Sequence, residues 1–220
     1  MAVVHRTTLS PTKLELLAGW LPTRPWYVGG RAPRLERTGG FRLDDPAGEV
    51  GIEIMAATDS AGPEPVTYHV PLAYRGAPLP GAEDALLGTM EHGVLGRRWA
   101  YDGSRDPVVV AQLTALLHGA AEPQAQSVSN TPDPAVEVLT SLAGPVDAAG
   151  PTAVKDTAHG TELAVTGATG SPLTLHLLRV LRPGGDAPAP GGLGRVVADW
   201  TPAEGEKARG TWMVALDAAR

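Results

Sequence analysis

The 220-residue chain contains no cysteine, a single asparagine and only three lysines. Without cysteine, a disulfide framework, a thiolate zinc site and a cysteine nucleophile are all excluded. Acidic residues outnumber basic ones by 24 to 18, and the net charge of −6 disfavours nucleic acid as a partner. No apolar run reaches the roughly 18 residues of a membrane helix, so no membrane association is expected. The N-terminus lacks the basic start and apolar run of a secretory signal, which predicts a cytoplasmic protein.

Several catalytic motifs are lacking as well. A kinase loop needs a catalytic Asp five residues before a metal-binding Asn, but Ala125 stands five residues before Asn130, the only asparagine. The lysines follow no glycine-rich phosphate loop, and neither Gly-x-Ser-x-Gly nor His-Glu-x-x-His occurs. The six histidines show no metal-like spacing. The sequence therefore predicts no cofactor, no metal site and no catalytic residue, and it favours a non-enzymatic role.

Two helices stand out in a chain that has 27 glycines and 21 prolines. Ser10 followed by proline predicts the capped start of a helix over 11–21, with leucines recurring on one face. Asp106 followed by proline predicts the start of a second helix, which Gly119 ends. The rest of the chain favours short strands and turns, because glycine and proline at this density destabilise long helices.

Apolar residues alternate with others over 50–55 and 66–74, which predicts two antiparallel strands, each with one buried face. Pro71 cannot donate to a strand ladder, which places the end of the second strand at a sheet edge. In the last predicted strand, Trp212 and the residues two and four positions later are expected to share a face. The further predicted strands are 35–43, 95–101, 124–128, 161–166, 173–181, 196–200 and 211–216.

The composition changes near residue 130. Proline and glycine clusters that break helices and strands occur repeatedly between Asn130 and Pro151. We therefore expect one domain over 1–130 and a β-rich C-terminal part over 131–220. A single sheet that continues across this boundary is an open alternative.

One candidate binding site is a group of charged side chains that we call the polar cluster. A carboxylate, an imidazole and a guanidinium close together can do acid–base work or hold a sugar or phosphate. The alternative is structural, with a turn, a helix cap at Asp106 and surface ion pairs. The predicted binding residues of this cluster are Glu91, His92, Arg97 and Asp102.

The second candidate site is the segment 24–30, which we call the signature loop. Its predicted binding residues are Arg24, Trp26 and Tyr27. Adjacent aromatic side chains can stack on a sugar ring or contact a protein partner. In the alternative interpretation, Trp26 packs into the core beneath the first helix.

The signature loop also carries a family resemblance. Residues 20–30, Trp-Leu-Pro-Thr-Arg-Pro-Trp-Tyr-Val-Gly-Gly, resemble the opening of the maltokinase N-terminal cap domain, an Arg-x-Trp-Tyr/Phe-x-Gly signature after a helix ending in Trp-Leu. Residues 68–75 resemble the Tyr-x-Val-Pro-Leu strand of that family, and 81–88 and 101–107 match the next two landmarks in order. The resemblance covers residues 9–118, about half of the chain.

In bacterial maltokinases this cap precedes a kinase-like catalytic body that joins maltose phosphorylation to the trehalose-to-glycogen route. The resemblance implies an α+β fold, with a curved antiparallel sheet and two main helices, here followed by the β-rich C-terminal part. Because the kinase motifs are lacking, it implies a stand-alone actinobacterial cap-like protein that binds or regulates an enzyme of trehalose, maltose or α-glucan metabolism. The alternatives are a homo-oligomer that presents its own site, and a sugar- or sugar-phosphate-binding protein or enzyme that uses the polar cluster.

Overall fold

A computed structural model of the chain describes residues 8–128, 130–142, 150–167, 170–184, 192–202 and 205–218. These residues form two short helices and an antiparallel sheet, which confirms a sheet-rich fold with two helices. The helices are α1 (Lys13–Trp20) and α2 (Pro107–Leu117). The strands are β1 (Leu9–Ser10), β2 (Leu35–Leu43), β3 (Gly51–Asp59), β4 (Val66–Arg75), β5 (Leu86–His92), β6 (Gly96–Asp102), β7 (Gln124–Ala125), β8 (Glu137–Thr140), β9 (Ala153–Thr157), β10 (Gly160–Thr166), β11 (Pro172–Leu177), β12 (Val180–Leu181), β13 (Gly192–Trp200) and β14 (Ala208–Asp217).

The strands from both sides of residue 130 belong to one sheet. Its order is β1-β5-β6-β4-β3-β2-β13-β14-β11-β10-β9, while β12 pairs with β4, β7 with β2 and β8 with β13. Trp200 of β13 lies opposite Gly39 of β2, where a side chain at position 39 would lie only 3.0 Å from the tryptophan backbone. The domain boundary near 130 stays a prediction, and residues 143–149, within the stretch of proline and glycine clusters, lie outside the described residues.

The two helices cover opposite faces of the same strands. On one face, Ile52 and Ile54 of β3 share a core with α2 and with Leu163 and Leu175 of the C-terminal strands. On the other face, residues of β3 and β4 pack against α1. The prediction that these two strands have one buried face each is therefore wrong, because consecutive residues of both strands are buried and neither face is left open to solvent.

The start of α1 differs from the prediction, whereas the start of α2 confirms it. The N-cap of α1 is Thr12, whose hydroxyl accepts from the Glu15 N–H at 3.3 Å while the Glu15 carboxylate accepts from the Thr12 N–H at 2.7 Å. This reciprocal capping box replaces the predicted cap at Ser10, which pairs with β5 instead. Asp106 caps α2 by accepting from the Val108 N–H at 2.9 Å.

β4 is an interior strand, so the prediction that its end lies at an edge is wrong. It pairs with β3 along its length, and on the other side it pairs first with β12 and then with β6. Pro71 lies between these two shorter partners, where no ladder bond is required from it. The strand predicted over 173–181 is correspondingly divided into β11 and β12, and Arg179 lies in the interruption.

Candidate functional site

Trp26 of the signature loop lies at the centre of a buried aromatic group. It is completely buried, with Trp20 edge-on at 5.8 Å and Tyr68 at 6.1 Å between ring centroids. The Arg24 guanidinium carbon lies 4.8 Å from the Trp20 ring centre, on the outer side of the group. Trp26 is thus a packing residue beneath α1, as the structural alternative requires, while Arg24 stays partly exposed. A ligand-binding role for Arg24 stays a prediction.

The Tyr27 hydroxyl fixes the rest of the signature loop. It lies 2.8 Å from a carboxylate oxygen of Asp59 and 2.9 Å from the Gly30 carbonyl oxygen, which can both accept its proton. Burial and the adjacent Asp59 carboxylate raise the pKa of Tyr27 well above its ordinary value of 10, so the hydroxyl stays a donor. Val28, which follows, is exposed. The exposed residues of the loop are therefore Pro25, Val28, Gly29 and Gly30, while Arg24 is half-buried, and a binding role for Tyr27 stays a prediction.

Three members of the polar cluster lie together on the hairpin that joins β5 and β6. Glu91 and Arg97 form an ion pair at 2.9 Å, with side chains 61% and 64% exposed. The His92 Nδ1 atom accepts from the Val94 N–H at 3.2 Å and the Leu95 N–H at 3.1 Å, which holds the turn in one conformation. We call residues 91–97 the hairpin tip.

Asp102, the fourth member, lies apart from the other three. It ends β6, five residues and thus about 17 Å along the strand from Arg97. Its carboxylate is buried, and its two oxygens accept from the Arg179 Nη2 group at 2.9 and 2.6 Å. The structure therefore does not place the polar cluster in one pocket, and its use in ligand binding stays a prediction without support from this geometry.

The partner of Asp102 is a residue that sequence reasoning missed. Arg179 is completely buried; its Nε donates to the Thr161 hydroxyl at 2.8 Å, and its guanidinium carbon lies 4.9 Å from the Trp26 ring centre. Burial and the nearby Arg179 charge lower the pKa of His69 to about 3, so this histidine stays neutral beside the guanidinium. An arginine inside an apolar strand pattern was the available signal.

A second buried charge that sequence reasoning missed is Glu53, the third residue of β3. Its carboxylate accepts from the Tyr74 hydroxyl at 2.8 Å and the Gln126 Nε2 group at 3.0 Å, and it forms an ion pair with Lys13 of α1. Burial and the Glu53 charge raise the pKa of Tyr74 well above 10. The ion pair with Lys13 holds α1 against the sheet. The signal in the sequence was a glutamate inside an otherwise apolar strand.

The described residues hold no group of three histidine, aspartate or glutamate side chains placed to bind a metal ion together. Neither of the two helices in this part of the chain is long and apolar enough to cross a membrane.

Comparison with known families identifies the segment that contains these features. The family model of the maltokinase N-terminal cap domain matches residues 20–106, from the last residue of α1 to the cap of α2. This match confirms the resemblance that the signature residues predicted, and we call residues 20–106 the cap. No curated protein shows a significant match to the chain.

Proposed function

We propose that the chain is a non-catalytic, cap-like module that binds or regulates an enzyme of trehalose, maltose or α-glucan metabolism. The observation that carries this proposal is the match of residues 20–106 to the cap domain, which in maltokinases accompanies an enzyme of this route. The proposal includes the cytoplasmic location that the sequence predicts.

The buried carboxylates of the cap support a non-catalytic role. Four of them, those of Glu53, Asp59, Asp102 and Asp106, belong to residues at most 4% exposed, and each accepts hydrogen bonds from neighbouring protein groups. A general acid or base must reach its substrate within hydrogen-bond distance. These four acids instead hold the fold together, so they are unsuited to acid–base work on an external sugar.

The hairpin tip is the surface on which we place the contact with the enzyme. Val94 and Leu95 at its end are 62% and 45% exposed. The turn is held by the two hydrogen bonds to His92, and the ion pair of Glu91 with Arg97 flanks it. An exposed apolar centre, a charged border and a fixed backbone are the features of a preorganised protein interface.

A binding panel tests the proposal directly. The full chain is immobilised, and purified enzymes that form or consume maltose, trehalose or α-glucan are passed over it one at a time. We expect saturable binding of one of them, together with a change in its kcat or KM when the chain is added. Passing the soluble chain over the immobilised chain on the same sensor measures self-association.

Two results would overturn the proposal. One is the absence of binding across the whole panel. The other is phosphorylation of maltose from ATP by the purified chain at a rate above that of a mock purification, since this would make the chain itself the enzyme.

A further inference from the structure

Backbone atoms of the C-terminal part complete the pairing of β4 on the side that β12 and β6 share. The Arg179 carbonyl oxygen accepts from the His69 N–H at 3.0 Å, just before β12 begins to pair with β4. On the same side, β6 pairs with β4 only from Leu72 onward. Backbone N–H groups two residues apart face the same side of a strand, and the next such position after His69 is Pro71, which has no N–H. The backbone at this point requires no further strand partner.

The Arg179 side chain lies in a pocket whose walls come mainly from the cap. The Asp102 carboxylate provides two acceptors at 2.9 and 2.6 Å, and the Trp26 ring faces the guanidinium at 4.9 Å. The His69 carbonyl oxygen lies 3.5 Å from Nη1. Carboxylate, aromatic face and carbonyl oxygen are the groups that recognise a planar guanidinium, whereas an ammonium group gains less from them.

The C-terminal part contributes one further contact and extends the network. The Thr161 hydroxyl of β10 accepts from Arg179 Nε at 2.8 Å and donates to the Asp156 carboxylate at 2.6 Å. Asp156 lies 3.9 Å from Arg105, which follows Asp102 in the cap. Charged side chains of residues 8–118 are thus paired with opposite charges from residues 150–217.

We propose that the cap carries an arginine-recognition site. It is formed by the backbone of β4 at His69 and by the pocket of Asp102 and Trp26. Its ligand is an arginine on an extended segment aligned antiparallel to β4, and in this chain Arg179 of the segment 178–181 occupies it. The mode is strand addition within one chain, where main-chain bonds give alignment and the pocket gives specificity. Its consequence is that the cap and the C-terminal strands unfold as one unit.

Chemical rescue of an Arg179→Ala variant tests this site. Removing one partner of a buried ion pair is expected to lower the Tm by about 6–20 °C. Guanidinium chloride, added far below denaturing concentrations, is then expected to raise the Tm of the variant in a saturable manner, because the ion refills the pocket. Sodium chloride and urea at equal concentrations are the control additives, because neither contains a planar cation that fits the pocket.

Arg209→Ala is the matched control, since Arg209 also donates two hydrogen bonds to carboxylate oxygens, those of Asp199 and Glu137, but on the surface. We expect a Tm change within about 4 °C and no rescue by guanidinium. The Arg179→Ala rescue should also disappear when Asp102→Asn is added. If Arg179→Ala does not fold, Arg179→Lys replaces it and is expected to have a lower Tm than the wild type.

The proposal is overturned if Arg179→Ala loses no more stability than Arg209→Ala, or if guanidinium acts on it no better than sodium chloride or urea. The proposal is also overturned if Arg179→Lys has the same Tm as the wild type, since a positive charge without a planar guanidinium would then be enough to fill the site.

Discussion

The Asp106 carboxylate has two structural roles that substitution can separate. It caps α2 through the Val108 N–H at 2.9 Å, and it pairs with Arg75 through two bonds of 2.6 and 2.9 Å. The carboxylate is completely buried, whereas the Arg75 side chain is 20% exposed. Its bonds with Asp106 raise the pKa of Arg75 above its ordinary value. Asp106→Asn retains a good capping group but removes the charge, and Asp106→Ala removes both.

The structure sets the expected magnitudes. Breaking a buried ion pair costs about 3–5 kcal/mol, and the partial exposure of Arg75 places Asp106→Asn near 3 kcal/mol, because water can solvate the remaining cation. Loss of an N-cap costs about 1 kcal/mol more, so Asp106→Ala is expected to destabilise the chain by about 4 kcal/mol. The difference between the two variants therefore measures the cap together with the hydrogen bond that the retained oxygen accepts from Arg75.

Urea unfolding of the wild type and both variants checks these values, provided that the m-value is unchanged. Arg75→Ala is the companion variant, and we expect it to cost at least as much as Asp106→Asn, since it leaves a buried carboxylate without its cation. A cost of under about 1 kcal/mol for Asp106→Asn, the range of exposed pairs, would refute the reasoning from burial.

Two further predictions concern stability. Gly40 has a φ of +130°, and an added Cβ would lie 2.2 Å from the Ile54 carbonyl oxygen, so Gly40→Ala should lower the free energy of unfolding by about 3 kcal/mol or more. Its control is Gly19→Ala in α1, where the added Cβ meets open space and a gain of about 0.5–1 kcal/mol is expected in the same urea assay. His69 has a pKa of about 3 in the folded chain, whereas an unperturbed histidine has a pKa of about 6.5. Below pH 6.5 the unfolded chain therefore binds a proton that the folded chain does not. Unfolding curves recorded from pH 7 down to pH 3 should therefore show this histidine removing about 1.4 kcal/mol of stability per pH unit, and His69→Gln should flatten the slope; an unchanged slope would contradict the assignment.

Local chemistry decided which elements could be predicted. The helix α2 was predictable because Asp106, Pro107 and Gly119 each act on their own backbone neighbourhood. The start of α1 was mistaken because two caps competed, and the Thr12–Glu15 pair satisfies two N–H groups where Ser10 would satisfy one. The ion pair of Glu91 with Arg97 was likewise within reach, since a hairpin brings its two strands opposite each other.

Long-range packing decided the rest. Trp212 was expected to share a face with Val214, but β14 has a bulge here. Val196 pairs with Met213 and Val197 with Thr211, so Trp212 has no partner in β13, and both Trp212 and Met213 are buried. Asp102 was grouped with its neighbours in sequence, although its partner Arg179 is 77 residues away. Contacts of this kind depend on the topology of the whole sheet, which local patterns do not contain.

The central claim is that the chain acts by contacting an enzyme through its cap, and substitution of the hairpin tip tests it most directly. The measurement is the Kd of the bound enzyme from the panel for a Val94→Asp, Leu95→Asp variant and for Val128→Asp, which alters an equally exposed valine outside the cap. We predict at least about a 30-fold weaker Kd for the hairpin variant, the effect of losing an interface centre, and an unchanged Kd for Val128→Asp. An unchanged Kd for both variants would contradict the account.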